Sequence, residues 1–412
     1  MRTSQVPLES HVNLVPIRVV VHDGNGHAVA NLHKEDFQVK QDGKVQFITH
    51  FSLETPASAA SQVARGEAIP LPPDSTSYSI SGSAPEAAAA GKAAGGANAG
   101  SKVALPTRFV ALLFDDSHLD VGDLSRAKIA ALKFIDTSVK PSERLAIFNI
   151  SGRSQVDFTD DHDKIRDAIK RLIPNPVGDP ATQHDCLQIT YYQADLIWNR
   201  HDQQALDAAT EDALACTPSV PSPDPQAESQ AQATQAASLV ASTVPAVLQA
   251  GEINTQYSVR RLEEVVRRVS ALPGQRSIVL ISPGFLTSTY EYEVSQVIDK
   301  ANRSNVFINT LDARGLYTVD ADGDISQPAP VRANAATAAM SVQYRLDEQR
   351  EQSVVLSDLA DSTGGFYFRN NNDLDAGFRT TAAEPEVSYL LAIVPDNLKN
   401  DGKFHTLSVK VL

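Results

Sequence analysis

The sequence predicts an α/β fold: a doubly wound, mostly parallel sheet inserted in a β-sandwich made from N- and C-terminal strands. Three observations lead there. From Thr107 onward, apolar runs of strand length alternate with amphipathic helical stretches, the order that places helices on both faces of a sheet. Those runs are continuous rather than alternating, as strands buried on both faces require. Towards the two ends the pattern changes to short β segments with Asp-Gly turns, which is antiparallel chemistry.

Each element follows from its residues. Residues 1–54 read as the N-terminal part of the sandwich: Val15–Val21, a turn at Asp23–Gly26, Phe37–Lys40, a turn at Asp42-Gly43, then Val45–Ile48. Residues 55–106 are dominated by Ala, Ser, Gly and Pro, with too little apolar periodicity to offset ordering entropy, so a flexible linker or long loop is expected. Residues 107–384 form the α/β domain. Its first strand is Phe109–Phe114, its first helix carries Leu124 through Ile135 and stops before Pro141, and a second strand is Leu145–Ile150. A helix at Asp161–Leu172 follows, with an acidic N-terminal cap that suits the helix dipole. A Pro-rich insertion at about 174–225 contains helical stretches at Tyr191–Asn199 and Gln203–Leu214. A helix resumes near Gln226, with Pro245 expected to kink or split it. Strands at Ser277–Ile281 and Val306–Leu311 flank a helix at Glu291–Ser304. A loop at 317–340, a helix at Val354–Asp361 and a short strand at Gly364–Phe368 close the domain. Residues 385–412 return to β, with Ser388–Val394, a turn at Asp401-Gly402 and His405–Val411. Terminal strands need partners, so the two ends are expected to complete one sandwich.

Composition narrows the function. The chain has 412 residues, enough for two or three domains, and 42% hydrophobic content. A net charge of −14 argues against nucleic acid, which demands a basic stripe. No unbroken apolar run reaches the roughly 18 residues of a bilayer span, so no membrane span is expected. Met1-Arg2-Thr3-Ser4 opens no signal-peptide pattern, and a secreted, periplasmic or cell-envelope location would mean a leader already removed. The two cysteines, Cys186 and Cys216, both fall in the insertion. They are either a disulfide, which would stabilise by roughly 3–4 kcal/mol and imply an oxidising compartment, or two separate buried thiols.

The candidate site is the turn after the first core strand, Asp115-Asp116-Ser117-His118. Ligands of open α/β sheets bind beyond the carboxyl ends of strands, so this turn, Ser151 and Ser282 are expected on one rim. Ser117 beside His118 does not read as a nucleophile and base: sequence neighbours rarely align, and no Gly-x-Ser-x-Gly elbow surrounds the serine.

Several segments add to this reading. They are Asp36-Phe37 near Asp42-Gly43, the Asp115–His118 turn, Phe158-Thr159-Asp160-Asp161, Leu272-Pro273-Gly274-Gln275-Arg276, Ser282-Pro283-Gly284-Phe285, and Tyr389-Leu390-Leu391 with Asp401-Gly402-Lys403-Phe404. Together they resemble the von Willebrand factor type A domain, and more narrowly the VWFA-related proteins of acidobacteria. The resemblance implies a Rossmann-like sheet carrying a metal-ion-dependent adhesion site. In such a site a hard cation wanting about six oxygens receives only some from the protein, and an acidic group of a protein or extracellular ligand fills the vacancy. Carried onto this chain, the metal ligands would be Asp115, Asp116, Ser117, His118 and Ser282, with Ser151 and Thr255 on the rim. The cation would be Mg²⁺, Ca²⁺ or Mn²⁺. The chain departs from the pattern at Leu119, which stands where a second serine belongs, and at Ser282-Pro283-Gly284, where the third-loop Asp is missing. His118 also opens the site to a transition metal. The implied function is extracytoplasmic, adhesion-type binding without catalysis. The alternatives are a structural or assembly module with a vestigial metal site, and, less favoured, a metal-dependent hydrolase.

Overall fold

The computed structural model describes residues 15–21, 29–54, 108–141, 143–175, 186–218, 221, 223–316, 334–382, 387–395 and 406–412. The segment 55–106 and the turns at Asp23–Gly26 and Asp401-Gly402 lie outside the described residues.

In chain order the strands are β1 (Val15–Val19), β2 (Phe37–Gln41), β3 (Lys44–Gln46), β4 (Ile48–Glu54), β5 (Arg108–Phe114), β6 (Glu143–Asn149), β7 (Val156–Thr159), β8 (Gln275–Ile281), β9 (Val306–Leu311), β10 (Tyr367–Phe368), β11 (Ser388–Ile393) and β12 (Leu407–Val411). The helices are α1 (Val121–Ser138), α2 (His162–Arg171), α3 (Tyr191–Trp198), α4 (Gln203–Cys216), α5 (Pro225–Ser270), α6 (Glu291–Arg303), α7 (Ala335–Thr363) and α8 (Leu374–Ala382). The chain divides into two compact units, one of residues 1–107 with 384–412 and one of residues 108–383.

The first unit holds two three-stranded antiparallel sheets, ordered β1-β11-β4 and β12-β2-β3. Each combines strands from both chain ends: Val15 pairs with Ile393, and Val39 with Val409. Phe37, Val39, Ile48, Tyr389, Leu391 and Ile393 form one buried cluster. Alternation of apolar and polar residues produces it, because successive side chains of a strand point to opposite faces. The buried Tyr389 ring satisfies its polar tip by donating to the Val29 carbonyl at 2.7 Å and accepting from the Leu32 N–H at 3.1 Å.

The second unit is a six-stranded sheet, ordered β10-β9-β8-β5-β6-β7, parallel throughout except for β7. Every residue of β5 is buried. Val110, Leu112 and Phe114 pack on one face with Leu124, Ile165 and Phe378 from α1, α2 and α8. Ala111 and Leu113 pack on the other with Val259, Val294 and Leu356 from α5, α6 and α7. A fully buried Leu or Phe stabilises by about 1.5–3 kcal/mol.

The insertion carries α3 and α4, stapled by a disulfide between Cys186 and Cys216. Its small core joins Leu187, Ile189, Ala209 and Ala213 to Val240, Val244 and Leu248 of α5. The later part of α5 serves the sheet instead, through Val259, Leu262 and Val266.

Several elements differ from expectation. Pro245 does not split the helix: α5 runs unbroken for 46 residues, and the carbonyl freed four residues earlier belongs to the exposed Ala241, where water can satisfy it. The helix expected at Val354–Asp361 extends back to Ala335, so 335–340 is helical rather than loop. Asn334 starts it, accepting from the Ala336 and Thr337 N–H groups at 2.8 and 3.1 Å. The strand expected from Gly364 begins only at Tyr367, because Gly364 caps α7 in a left-handed conformation. Strand β7 and helix α8 had no clear sequence signal. Trp198, on α3, is 54% exposed. Finally, α5 contains an 18-residue window of mean hydropathy 1.2, long and apolar enough by length and composition to cross a membrane, of which 33% is buried. Interspersed Ser, Thr and Gln hide it from a search for unbroken apolar runs.

Candidate functional site

The carboxyl ends of β5, β6 and β8 build the site. The Asp115 N–H continues the sheet by donating to the Ile281 carbonyl at 2.9 Å, and the Ser282 N–H does the same to Leu311 at 3.1 Å. Beyond this point the chain leaves the sheet. Asp120 caps α1 by accepting from the Asp123 N–H at 2.6 Å, which closes the turn 115–120.

Within the turn the two aspartates face different partners. Asp115 is fully buried. Its Oδ1 accepts from the Ser117 N–H at 3.3 Å and the His118 N–H at 3.1 Å. The Ser282 hydroxyl donates to its Oδ2 at 2.6 Å, and the His118 Nδ1 lies 2.9 Å from both oxygens. An imidazole held this way donates from Nδ1 to the carboxylate. The ring stacks on Phe285 at 5.8 Å, and its side chain is 16% exposed.

Asp116 turns towards β6. Its Oδ2 accepts from Asn149 Nδ2 at 2.7 Å and from the Ser151 hydroxyl at 2.5 Å, and its Oδ1 from the Ser151 N–H at 2.9 Å. Burial raises its carboxyl above the ordinary range, and the bonds from Ser151 and Asn149 oppose that shift. Asn149 is fixed in turn: its Oδ1 accepts from the Ser154 N–H at 3.1 Å, and its carbonyl from Arg261 Nε at 2.9 Å.

Ser117 differs from its neighbours. It is 7% exposed, and its Oγ is buried without a hydrogen-bond partner. Such an atom carries a desolvation cost of about 1–3 kcal/mol unless something fills its valence.

The rim therefore brings Asp115, Ser117, His118 and Ser282 together, and sets Asp116 with Ser151 beside them. Thr255 is elsewhere in the network. It lies inside α5, and its hydroxyl donates to the Leu286 carbonyl at 2.9 Å, so it supports the loop after β8 from beneath. Asn149 and Phe285 were missed. Asn149 had a signal, being the polar last residue of an apolar strand. Phe285 had none, since stacking on His118 depends on the path of a loop.

The residues do not fit a hard six-oxygen cage. Asp115 already receives four donors, which saturates a carboxylate's lone pairs, and Asp116 is aimed at a separate donor set. Among the described residues, no group of three or more His, Cys, Asp or Glu side chains is placed to hold a metal ion. Nor do these bonds pair a nucleophile with a base: the Ser282 hydroxyl is spent on Asp115, and Ser117 Oγ meets no partner.

No protein-family model and no curated protein matches the chain. Among solved structures, it is similar to BatB, a conserved hypothetical protein of Bacteroides thetaiotaomicron, at 13% identity over 68% of this chain and 98% of that one, with a TM-score of 0.28. It is also similar to an aerotolerance-related membrane protein of Bacteroides fragilis, at 14% identity over 67% of this chain and 98% of that one, with a TM-score of 0.28. Similarity at that level assigns neither a fold family nor a function.

Proposed function

We propose that the chain is an extracytoplasmic, adhesion-type binding module of von Willebrand type A character, which recognises a protein or extracellular ligand at the carboxyl edge of its six-stranded sheet. One observation carries this reading: the buried Ser117 hydroxyl without a partner, in the turn that also carries the buried carboxylates of Asp115 and Asp116. A ligand group at this rim would satisfy that atom. The His118 ring, oriented by Asp115, offers a second polar group to the ligand. The Cys186–Cys216 disulfide supports an oxidising compartment. The role assigned is binding.

The alternative, an assembly module with a vestigial site, draws on the saturation of Asp115. The two readings and the metal-assisted form separate in one experiment. Thermal unfolding is followed with Mg²⁺, Ca²⁺, Mn²⁺ or Zn²⁺ added, for the native protein, Ser117→Ala and Asp115→Asn. A cation-dependent rise in Tm that Ser117→Ala and Asp115→Asn abolish establishes the metal-assisted form. With no such rise, Ser117→Ala decides: stability gained on removing the hydroxyl is expected of an unfilled ligand position. Stability lost by more than about 1 kcal/mol would mean the hydroxyl is a structural bond, and the rim would then belong to an assembly module.

A further inference from the structure

On the rim, the position of one ring nitrogen decides what Asp115 can accept. His118 Nδ1 lies 2.9 Å from Oδ1 and 2.9 Å from Oδ2, so it sits astride the carboxylate and not on one oxygen. The other donors are the Ser117 and His118 N–H groups on Oδ1 and the Ser282 hydroxyl on Oδ2. Those two N–H groups are backbone of the turn, and Ser282 is fully buried. The His118 side chain is 16% exposed. Its ring is therefore the member of the set that can be removed without rebuilding the turn.

The ring is held in place from the side. It stacks on the buried Phe285 at 5.8 Å and 23°. The loop carrying Phe285 is tied to the same carboxylate, because the Gly284 N–H donates to Ser282 Oγ at 2.9 Å and that hydroxyl donates to Asp115. Oxygens are scarce around it. Leu119, which stands where a second serine belongs, is buried in the core with Phe114 and Leu124. Ser117 Oγ is the rim oxygen left without a partner. Mg²⁺ and Ca²⁺ take their oxygens at about 2.0–2.6 Å. An ion bound by both oxygens of Asp115 would overlap the ring nitrogen, and one bound by a single oxygen would displace a donor already there.

We propose that the His118 ring takes the cation's place at this rim: it bridges both oxygens of Asp115 as an ion would, so the rim works without metal. Removing the ring would uncover a divalent-cation site made from Asp115, the Ser117 hydroxyl and water. A buried carboxylate stripped of a donor is left with an unfilled acceptor, and a hard cation carrying water ligands is a group that fills it. As a statement of what a ligand meets at the rim, an imidazole in place of a metal, the proposal rests on the binding reading. As a statement about cations it does not.

Mn²⁺ binding to the full chain, followed by loss of the free-ion electron paramagnetic resonance signal, tests this. Native protein should show no saturable binding up to about 1 mM, and His118→Ala should gain one site at least about tenfold tighter than that limit. Adding Asp115→Asn to His118→Ala should remove the gained site. Saturable binding by native protein that Asp115→Asn abolishes, or no gained site in a folded His118→Ala, would overturn the proposal. If His118→Ala folds poorly, histidine-labelled native protein decides by nuclear magnetic resonance. The ring Nδ1 signal of His118 should stay unchanged as Mg²⁺ is added to about 10 mM; its displacement would sink the proposal. None of these measurements includes a ligand, so their failure leaves the binding reading standing. A loss of stability in Ser117→Ala would end the binding reading without deciding the place of His118.

Discussion

Replacing Gly284 by Ala isolates the close approach between the rim loop and α7. Gly284 has φ +90°, and its added Cβ would lie 2.0 Å from the Gln352 oxygen and 2.6 Å from the Gln352 carbonyl carbon. A left-handed backbone costs an L-residue about 1–2 kcal/mol, and forcing an extra carbon into a packed contact costs about 1–3 kcal/mol. Backbone atoms of a helix cannot rotate away as a side-chain tip can. Gly152 provides the control, with φ +71° and nothing within 4 Å of its added Cβ. Gly284→Ala should therefore lose about 2–5 kcal/mol and Gly152→Ala about 1–2 kcal/mol, with the unfolded-state gain of about 0.4–1 kcal/mol common to both. Urea titration reads the difference, provided the m-values agree. The single tryptophan of the chain, Trp198, lies on α3 within the α/β unit, so its fluorescence follows that unit and not the β unit. Equal losses in the two variants would refute the reasoning, because the steric contact would then contribute nothing.

Other outcomes follow from the same contacts. Cys186→Ser with Cys216→Ser opens a loop of sequence separation 30 and should cost about 3–4 kcal/mol on the chain-entropy model; a loss under about 1 kcal/mol by the same urea assay would contradict it. Arg108→Ala removes the guanidinium bonded at 2.7 Å to the almost fully buried Glu143, whose other oxygen keeps the Lys140 N–H at 3.1 Å, and should cost about 3 kcal/mol, while a well-packed apolar replacement of both should recover most of that loss. No recovery in calorimetry would mean the pair itself supplies the stability. Asp123, pushed up to about 6 mainly by burial and by Asp120, contributes stability that is complete below pH 4 and lost as pH rises through about 6. Asp123→Asn should therefore gain on the order of 1–2 kcal/mol above pH 7 after allowance for solvent screening; a gain that is the same at pH 4 would exclude titration as its cause.

The strands of the α/β unit were legible because burial on both faces writes continuous apolar runs, as in Phe109–Phe114 and Ser277–Ile281. The rim was legible for the same reason, since the polar residue ending such a run marks a strand's carboxyl edge. What each rim residue does was not legible. Asp115 and Asp116 are neighbours in sequence, yet one bonds to Ser282 and the other to Ser151, and only the sheet order decides that. Thr255 looked like a rim hydroxyl by type, but a helix places it against Leu286. The first half of α7 was lost because it buries little: between Ala335 and Gln352 only Thr337 is buried, so no apolar stripe records it.

The interleaving of chain ends in the β unit sets an order of events during synthesis. Strand β11 lies between β1 and β4, and β12 pairs with β2. Until β11 has been made, β1 and β4 lack the strand that lies between them, and β2, paired with β3, keeps one open edge, so these edges are free to meet other chains. The α/β unit, complete within 108–383, can close first, so the emerging protein consists of a finished domain trailing unpaired strands. Contacts of such long sequence separation form slowly, and the interval between the two closures is when the chain is most exposed to misassembly. A nonsense mutation just before Ser388 would fix that interval permanently.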